Sequence, residues 1–259
     1  MKPFLKWVGG KTQLLPALLS HVPKSFGAYH EPFLGGGALF FALQPKQAYL
    51  SDINLDLINT YRGVRNDCAT VVIDLQRLAA QHADEEYYYL LRTEFNRHPT
   101  PARFIYLNKT CFNGLYRVNK SGDFNVPRGK YKNPNICDAE TLLECSEALR
   151  NATLTCTPFQ TIRPAEGDFW YADPPYVPLN ATSDFTAYDK TGFDKMDQIR
   201  LRDFALKLKR RGVHVMLSNS DTPFVREIYK DFEIHTVEAR RNVNSKGSKR
   251  GKVSEVIIK

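Results

Sequence analysis

The chain has 259 residues, enough to bury a full core as one large domain or as one domain carrying an insertion. Its composition, 42% hydrophobic and 25% charged, is ordinary for a globular protein, and no apolar run approaches the ~18 residues of a membrane span. A net charge of +8 favours a polyanionic partner. The opening MKPFLKWVGGK lacks the apolar core of a signal peptide, so a cytoplasmic location is expected. Five cysteines (Cys68, Cys111, Cys137, Cys145, Cys156) stand far apart without zinc-ligand spacing, and the six histidines do not cluster with them. They read as reduced structural thiols, and no metal site is expected.

Taken in order, Phe4 to Lys11 reads as a short extended segment ending in the double-glycine turn Gly9-Gly10. Thr12 is the expected N-cap of a helix through about Val22, with Pro16 near its first turn. Ala28 to Phe33 reads as a strand running into Leu34-Gly35-Gly36-Gly37, then a helix to about Leu43. Strand, glycine turn and helix together make a phosphate or nucleotide loop. A second strand, Gln47 to Leu50, leads to Asp52, about fifteen residues past the glycines. An acid at that place in a βαβ unit hydrogen-bonds ribose hydroxyls. The triple glycine matches the dinucleotide fingerprint only in part, and by itself it is equally a tight turn.

From Asn54 to about Asn96 the periodicity is helical, with Leu55, Ile58, Tyr61 and Val64 on one face, then Val71 to Ala80 and Glu85 to Phe95. Pro99 and Pro101 interrupt it, Ala102 to Cys111 reads as a further helix, and Asn113-Gly114 is a turn signal. Leu115 to Asn119 and Asp123 to Val126, joined by Lys120-Ser121-Gly122, predict a β-hairpin. A helix over Ala139 to Leu149 follows. Strand signals resume at Thr153 to Cys156, Phe169 to Asp173, Val213 to Asn219, Ile234 to Arg241 and Val253 to Lys259. Helices from about Asp194 to Arg211 and from Thr222 to Lys230 lie between them, and the last two strands would form a hairpin. Seven strands in the flanking parts predict an α/β domain, residues 1–54 and 150–259, interrupted by a mainly helical insert, residues 55–149.

The positive charge is concentrated. Between Phe95 and Pro134 eight Lys or Arg face a single acid, Asp123, and the stretch holds seven aromatics. Between Arg240 and Lys252 there are six basic residues and no acid. Charge runs are usually solvated surface, but two separate ones, the first laced with rings, suit a nucleic acid better.

The stretch DFWYADPPY, Asp168 to Tyr176, carries the chemistry. Phe169 to Ala172 is an uncharged, aromatic-rich run suited to a buried strand. Asp173 follows, then Pro174 and Pro175, which can neither continue a ladder nor donate a backbone hydrogen bond. In open α/β sheets the carboxyl edge of the strands is where ligands bind. The turn offers a carboxylate, a proline carbonyl and the ring of Tyr176, a set that can hold a planar base by its amine and stack on its face. A lone Asp-Pro-Pro is equally a capped strand end.

These pieces resemble the Dam family of DNA adenine methyltransferases, whose DPPY motif they share. FLKWVGGK, EPFLGGGALF, LSDIN, FNGLYRVNKSGDFNVPRGKY, YADPPY and ARRNVNSKGSKRGKV stand in the family's order and cover most of the chain. The resemblance implies a seven-stranded, Rossmann-like methyltransferase sheet with an inserted target-recognition domain carrying a β-hairpin. It implies S-adenosylmethionine as cofactor, double-stranded DNA as partner, neither metal nor membrane, and a monomer in solution. Trp7 and Lys11 match its N-terminal cofactor motif, Phe33, Gly35 and Gly37 the glycine loop, and Asp52 the ribose ligand. Phe159 takes the place of an aromatic near the cofactor adenine, although TPFQ departs from the usual residues. Asp173, Pro174, Pro175 and Tyr176 match the catalytic clamp, with Asp173 also beside the cofactor.

In the insert, Phe112, Asn113 and Leu115 match the probing turn whose ring enters the base stack, with Phe where Tyr is common. Arg117 matches the reader of a guanine, and Lys6 and Tyr131 the readers of the first base pair. Asn119, Asn125, Pro127 and Lys130 match residues along the DNA backbone, and Lys246, Lys249 and Arg250 are expected phosphate contacts. The resemblance implies GATC as the site and a target adenine flipped out of the duplex. Other readings are cytosine-amine methylation, which usually carries Ser in place of Asp173, a non-catalytic DNA-binding module, and a nicotinamide dehydrogenase.

Overall fold

The computed structural model describes residues 1–82, 84–178, 193–240 and 252–259. A 3-10 turn, Lys11–Gln13, precedes α1 (Leu15–His21), β1 (Tyr29–Glu31), α2 (Ala38–Leu43), β2 (Ala48–Asp52), α3 (Leu55–Asn66), α4 (Cys68–Ala80), α5 (Glu85–Arg97) and α6 (Pro101–Thr110). After a second 3-10 turn, Phe112–Gly114, come α7 (Ala139–Leu149), β3 (Ala152–Cys156), a turn at Phe159–Thr161, β4 (Phe169–Ala172), α8 (Lys195–Arg210), β5 (His214–Ser220), α9 (Pro223–Ile228), β6 (Ile234–Arg240) and β7 (Lys252–Ile258). The seven strands form one mixed sheet in the order β3-β2-β1-β4-β5-β7-β6. No helix among the described residues is long and apolar enough to cross a membrane.

The chain forms two compact units, Met1–Thr12 with Gly35–Gln44 and Asp52–Cys156, and Gln13–Leu34 with Pro45–Ser51 and Thr157–Lys259. In the second, β1 runs parallel to β2 and β4, and β4 runs parallel to β5. All four residues of β4 are buried, which is why its sequence reads as an apolar run without alternation. Trp170 of β4 packs with Leu201, Ala205 and Leu208 of α8 in a core that also holds Val225, Tyr229 and Ile258. β7 runs antiparallel to both β5 and β6, giving the expected terminal hairpin. Since β1, β2, β4 and β5 are parallel, their carboxyl ends share one edge: Phe33 lies just beyond β1, Asp52 closes β2, Asp173 follows β4 and Ser220 closes β5.

In the first unit, side-chain caps fix the helix starts. Asn54, Asp67, Asp84, Thr100 and Asp138 each accept a backbone N–H three residues on, at the heads of α3, α4, α5, α6 and α7, each worth about 1 kcal/mol. Phe4 packs edge-on against Tyr61 of α3 and Phe41 of α2, with ring centroids 4.9 and 6.2 Å apart.

Two expectations are corrected and a third is narrowed. The helix expected from Thr12 begins at Leu15, and Thr12 does not cap it. Pro16 explains this: its ring would collide with the carbonyl four residues back, so the proline is accepted only in a new first turn. The strand expected over Ala28 to Phe33 is confined to Tyr29–Glu31, because Pro32 cannot donate to the ladder. The predicted hairpin over Leu115 to Val126 closes on an antiparallel bridge between Val118 and Phe124, with the Asn119 N–H on the Asp123 carbonyl at 2.9 Å and the Asn125 N–H on the Arg117 carbonyl at 3.0 Å, but it does not lengthen into a strand ladder. The backbone of its second arm is also held by α5. Asn96 accepts the Phe124 N–H at 2.9 Å and donates to the Phe124 carbonyl at 3.1 Å, and the Tyr88 hydroxyl donates to the Val126 carbonyl at 2.8 Å.

Candidate active site

The glycine loop between β1 and α2 is set by backbone conformation. Gly35 and Gly37 have φ of +46° and +65°, the left-handed region that favours glycine, and Gly37 is the N-cap of α2. A Cβ at Gly35 would lie 2.7 Å from two indole atoms of Trp7, so the ring rests on the loop. Asp52 ties the loop to the end of β2: Oδ2 accepts the Gly35 N–H at 3.1 Å, and Oδ1 accepts the Asn54 N–H at 3.0 Å. Burial raises the Asp52 pKa above the usual carboxylate range, and these N–H donors oppose the rise. The Tyr61 hydroxyl donates to the Gly35 carbonyl at 3.1 Å. Lys11 is buried and donates to the Gly9 carbonyl at 2.6 Å. Next to Asp52, Ile53 is 75% exposed, a large aliphatic left in solvent beside a fixed acceptor. No local pattern marks it, although LSDIN places it just past the strand.

These groups suit an adenosine-bearing cofactor. A carboxylate has about four lone-pair sites, more than the three that the Gly35, Asn54 and Ile53 N–H groups occupy on Asp52, so it keeps capacity for a ribose hydroxyl, and Ile53 offers an apolar face. In the second unit, the half-buried Phe33 packs against Phe159 and Phe193, at 5.6 and 5.7 Å. Phe159 itself is buried in the core beside Phe204, so Phe33 is the more exposed ring of that pair.

The residues of the Asp-Pro-Pro-Tyr turn are held from several sides. Gln198 of α8 donates to the Pro175 carbonyl at 2.8 Å, and Asn219 of β5 donates to Gln198 Oε1 at 3.0 Å. Asn219 Oδ1 accepts the Ser220 N–H at 2.9 Å, and the Ser220 hydroxyl donates to the Val177 carbonyl at 2.6 Å. Tyr176 donates its hydroxyl to Glu255 of β7 at 2.8 Å. Burial, with the negative charges of Asp173 and Glu255, holds the Tyr176 phenol far above its ordinary pKa. Asp173 is half-buried and Pro174 buried at the carboxyl end of β4. None of Gln198, Asn219 or Glu255 was singled out in the sequence.

The expected DNA-reading residues all lie in the first unit, apart from Lys246, Lys249 and Arg250, which fall outside the described residues. Phe112 is 47% exposed at the tip of a tight turn in which Asn113 and Gly114 both have positive φ. The turn is pinned by the Phe112 N–H on the Pro127 carbonyl at 2.9 Å and the Leu115 N–H on the Phe112 carbonyl at 3.2 Å. Arg117 is exposed, with Nε and Nη2 donating to the side-chain and main-chain oxygens of Asn125 at 2.7 and 3.2 Å. Asn119 accepts the N–H groups of Ser121 and Asp123, both at 2.9 Å, so its oxygen closes the loop. Lys6 lays its ammonium 3.9 Å from the centroid of Tyr131, while Lys130 is exposed. Asn108, unremarked in the sequence, receives the Lys6 N–H at 2.8 Å and donates to the Lys6 carbonyl at 2.6 Å, fixing the segment that carries Lys6.

The family pattern of D12 class N6 adenine-specific DNA methyltransferases matches residues 7–243. The chain is 44% identical to the Type II methyltransferase M1.LlaDCHI of Lactococcus lactis subsp. cremoris, over all of this chain and 95% of that one. It is 45% identical to the Type II methyltransferase M.MjaIII of Methanocaldococcus jannaschii, over 96% of this chain and 95% of that one. Against the DNA adenine methylase of Escherichia coli K12 the identity is 38%, over 99% and 94%. The chain belongs to the D12 class of N6 adenine-specific DNA methyltransferases, enzymes that take their methyl group from S-adenosylmethionine.

Proposed function

We propose that this enzyme methylates the exocyclic amine of adenine within GATC, after turning the base out of the duplex, and that Asp173 to Tyr176 form the catalytic clamp. The observation that carries the reading is the Asp-Pro-Pro-Tyr turn at the carboxyl end of β4, with Pro175 and Tyr176 each fixed by a side chain from a neighbouring element. Adenine's amine is a poor nucleophile because its lone pair is delocalised into the ring. Asp173 and the Pro174 carbonyl accept its two hydrogens, which draws the nitrogen toward tetrahedral geometry and frees the lone pair. A carboxylate is a far weaker base than the anion of an aromatic amine and cannot deprotonate it outright. Asp173 therefore orients it, and the proton leaves during or after transfer. When bound, S-adenosylmethionine supplies an electrophilic methyl on its sulfonium. Trp7, Lys11, Phe33, Gly35, Gly37, Asp52 and Phe159 bind that cofactor, joined by Ile53 as an apolar contact beside the ribose acceptor.

Residues 55–149 are the target-recognition domain. Phe112 enters the gap left by the extruded base, an extrusion costing a few kcal/mol. Arg117 reads a guanine, while Lys6 and Tyr131 read the first base pair. Asn113 and Leu115 shape the probing turn. Asn119, Asn125, Pro127, Lys130, Lys246, Lys249 and Arg250 follow the phosphate backbone, and the last three lend salt dependence without changing the site. The test is incubation of a mixed-sequence duplex with labelled S-adenosylmethionine and mapping of the label. Label confined to adenine of GATC supports the proposal, and label on cytosine or scattered over adenines overturns it.

A further inference from the structure

A stacking ring helps only if it stays in one orientation, and the structure shows how Tyr176 is held. Its main chain is anchored next door, where the Pro175 carbonyl accepts from Gln198. The far end of the side chain reaches β7, with the hydroxyl donating to Glu255 Oε2 at 2.8 Å. The position of Glu255 is itself fixed by the sheet, since it pairs with Ser220 across β5 and with Val237 across β6. Antiparallel β7 thus delivers a carboxylate to the edge where parallel β4 delivers Asp173. The phenol stays neutral and remains a donor, because burial and the nearby Asp173 and Glu255 charges disfavour phenolate.

We infer that Glu255 is a positioning residue for methyl transfer: its hydrogen bond to the Tyr176 hydroxyl fixes the plane on which the extruded adenine stacks. The inference rests on the proposed clamp role of Tyr176. A carboxylate acceptor makes this hydrogen bond one of the strong class, and its loss lets the ring turn about the bond that carries it. The base then dwells less often in a productive pose, which lowers kcat and leaves cofactor binding alone.

The test compares Glu255→Ala, Glu255→Gln, Tyr176→Phe, Tyr176→Ala and the double variant Glu255→Ala/Tyr176→Phe, each on a duplex that the wild-type enzyme methylates. Glu255→Ala and Tyr176→Phe are each expected to lower kcat about ten-fold, and the double variant no further, because both remove the same bond. Glu255→Gln keeps an acceptor oxygen and should restore kcat to within about three-fold, with the KM for S-adenosylmethionine unchanged throughout. With 2-aminopurine in place of the target adenine, Glu255→Ala should alter the fluorescence of the bound complex, because the probe stacks differently. Additive losses in the double variant, a glutamine that fails to rescue, or a kcat within two-fold of wild type for Tyr176→Phe would each overturn the inference. Tyr176→Phe breaks the bond without touching β7, so a misfolded Glu255 variant leaves the test intact. If Tyr176→Ala itself is fully active, the clamp reading fails. If Tyr176→Ala is impaired while Tyr176→Phe is not, only the role of Glu255 fails.

Discussion

Substituting Gly35 by alanine tests the cofactor loop. Gly35 has φ of +46°, and a Cβ there would lie 2.7 Å from Cδ1 and Nε1 of Trp7. The left-handed conformation costs an L-residue about 1–2 kcal/mol, and forcing the indole aside adds roughly 1–3 kcal/mol of overpacking. The sum, roughly 2–5 kcal/mol, corresponds to a fall in Tm of roughly 4–20 °C for a chain of this size. Gly122 supplies the control. Its φ is +86° with nothing within 4 Å of a built Cβ, so Gly122→Ala carries the backbone strain without the collision. Calorimetric titration with S-adenosylmethionine and thermal unfolding of both variants separate the two costs. Gly35→Ala should be the less stable, bind cofactor more weakly because the Gly35 N–H that fixes Asp52 is displaced, and shift the tryptophan emission. The chain has two tryptophans and Trp170 is fully buried, so the shift reports Trp7. Equal Tm values for the two variants, with unchanged cofactor affinity, would refute the reasoning.

Asp52→Asn keeps a hydrogen-bonding oxygen but removes the charge, and should weaken cofactor binding by about 1.5–3 kcal/mol in calorimetry; unchanged affinity means that another acid holds the ribose. Asp168 accepts N–H groups from Ala28 and Ala165 at 2.8 and 2.9 Å and meets His30 Nε2 at 2.8 Å, so Asp168→Ala leaves buried donors unsatisfied at about 1–3 kcal/mol each in urea unfolding, and a total below about 1 kcal/mol would discount the network. Burial lowers the His30 pKa, against the pull of Asp168, while burial raises the Asp168 pKa but the donors of Ala165, His30 and Ala28 outweigh it and leave it lowered. Both folded values lie below the unfolded ones, so the unfolded chain binds more protons: the His30 share of stability is full above about pH 6.5 and lost as pH falls, and the Asp168 share is lost below about pH 4. Stability that does not fall from pH 7 to pH 5 would contradict the His30 part. Arg117→Ala should lower discrimination between GATC and singly altered sites by about 1–3 kcal/mol, roughly five- to 150-fold, whereas a uniform loss on all sequences with a salt slope reduced by about one unit would mark a phosphate contact.

What could be read in the sequence was local. The apolar run FWYA became the fully buried β4, the triple glycine adopted left-handed turns, and the acid of LSDIN closed β2. Seven strands were countable because each carries its own β-branched or aromatic run. Partners that come together through topology were not legible. Glu255 lies 79 residues from Tyr176, and Asn108 lies 102 from Lys6, and neither has a local signature of its partner. The support of the hairpin has the same origin: Leu115 to Val126 reads as a hairpin, but nothing local shows that Asn96 and Tyr88 of α5 hold the backbone of Phe124 and Val126.

The central claim is that Asp173 prepares the adenine amine for methylation, and single-turnover transfer with Asp173→Ala tests it most directly. Enzyme in excess over a GATC duplex, with labelled S-adenosylmethionine, reads the chemical step, while parallel titrations read duplex and cofactor binding. The prediction is N6-methyladenine from the wild-type enzyme and a loss of at least a thousand-fold in the variant, about 4 kcal/mol of barrier, with duplex affinity retained. Transfer within ten-fold of wild type by Asp173→Ala would contradict the account.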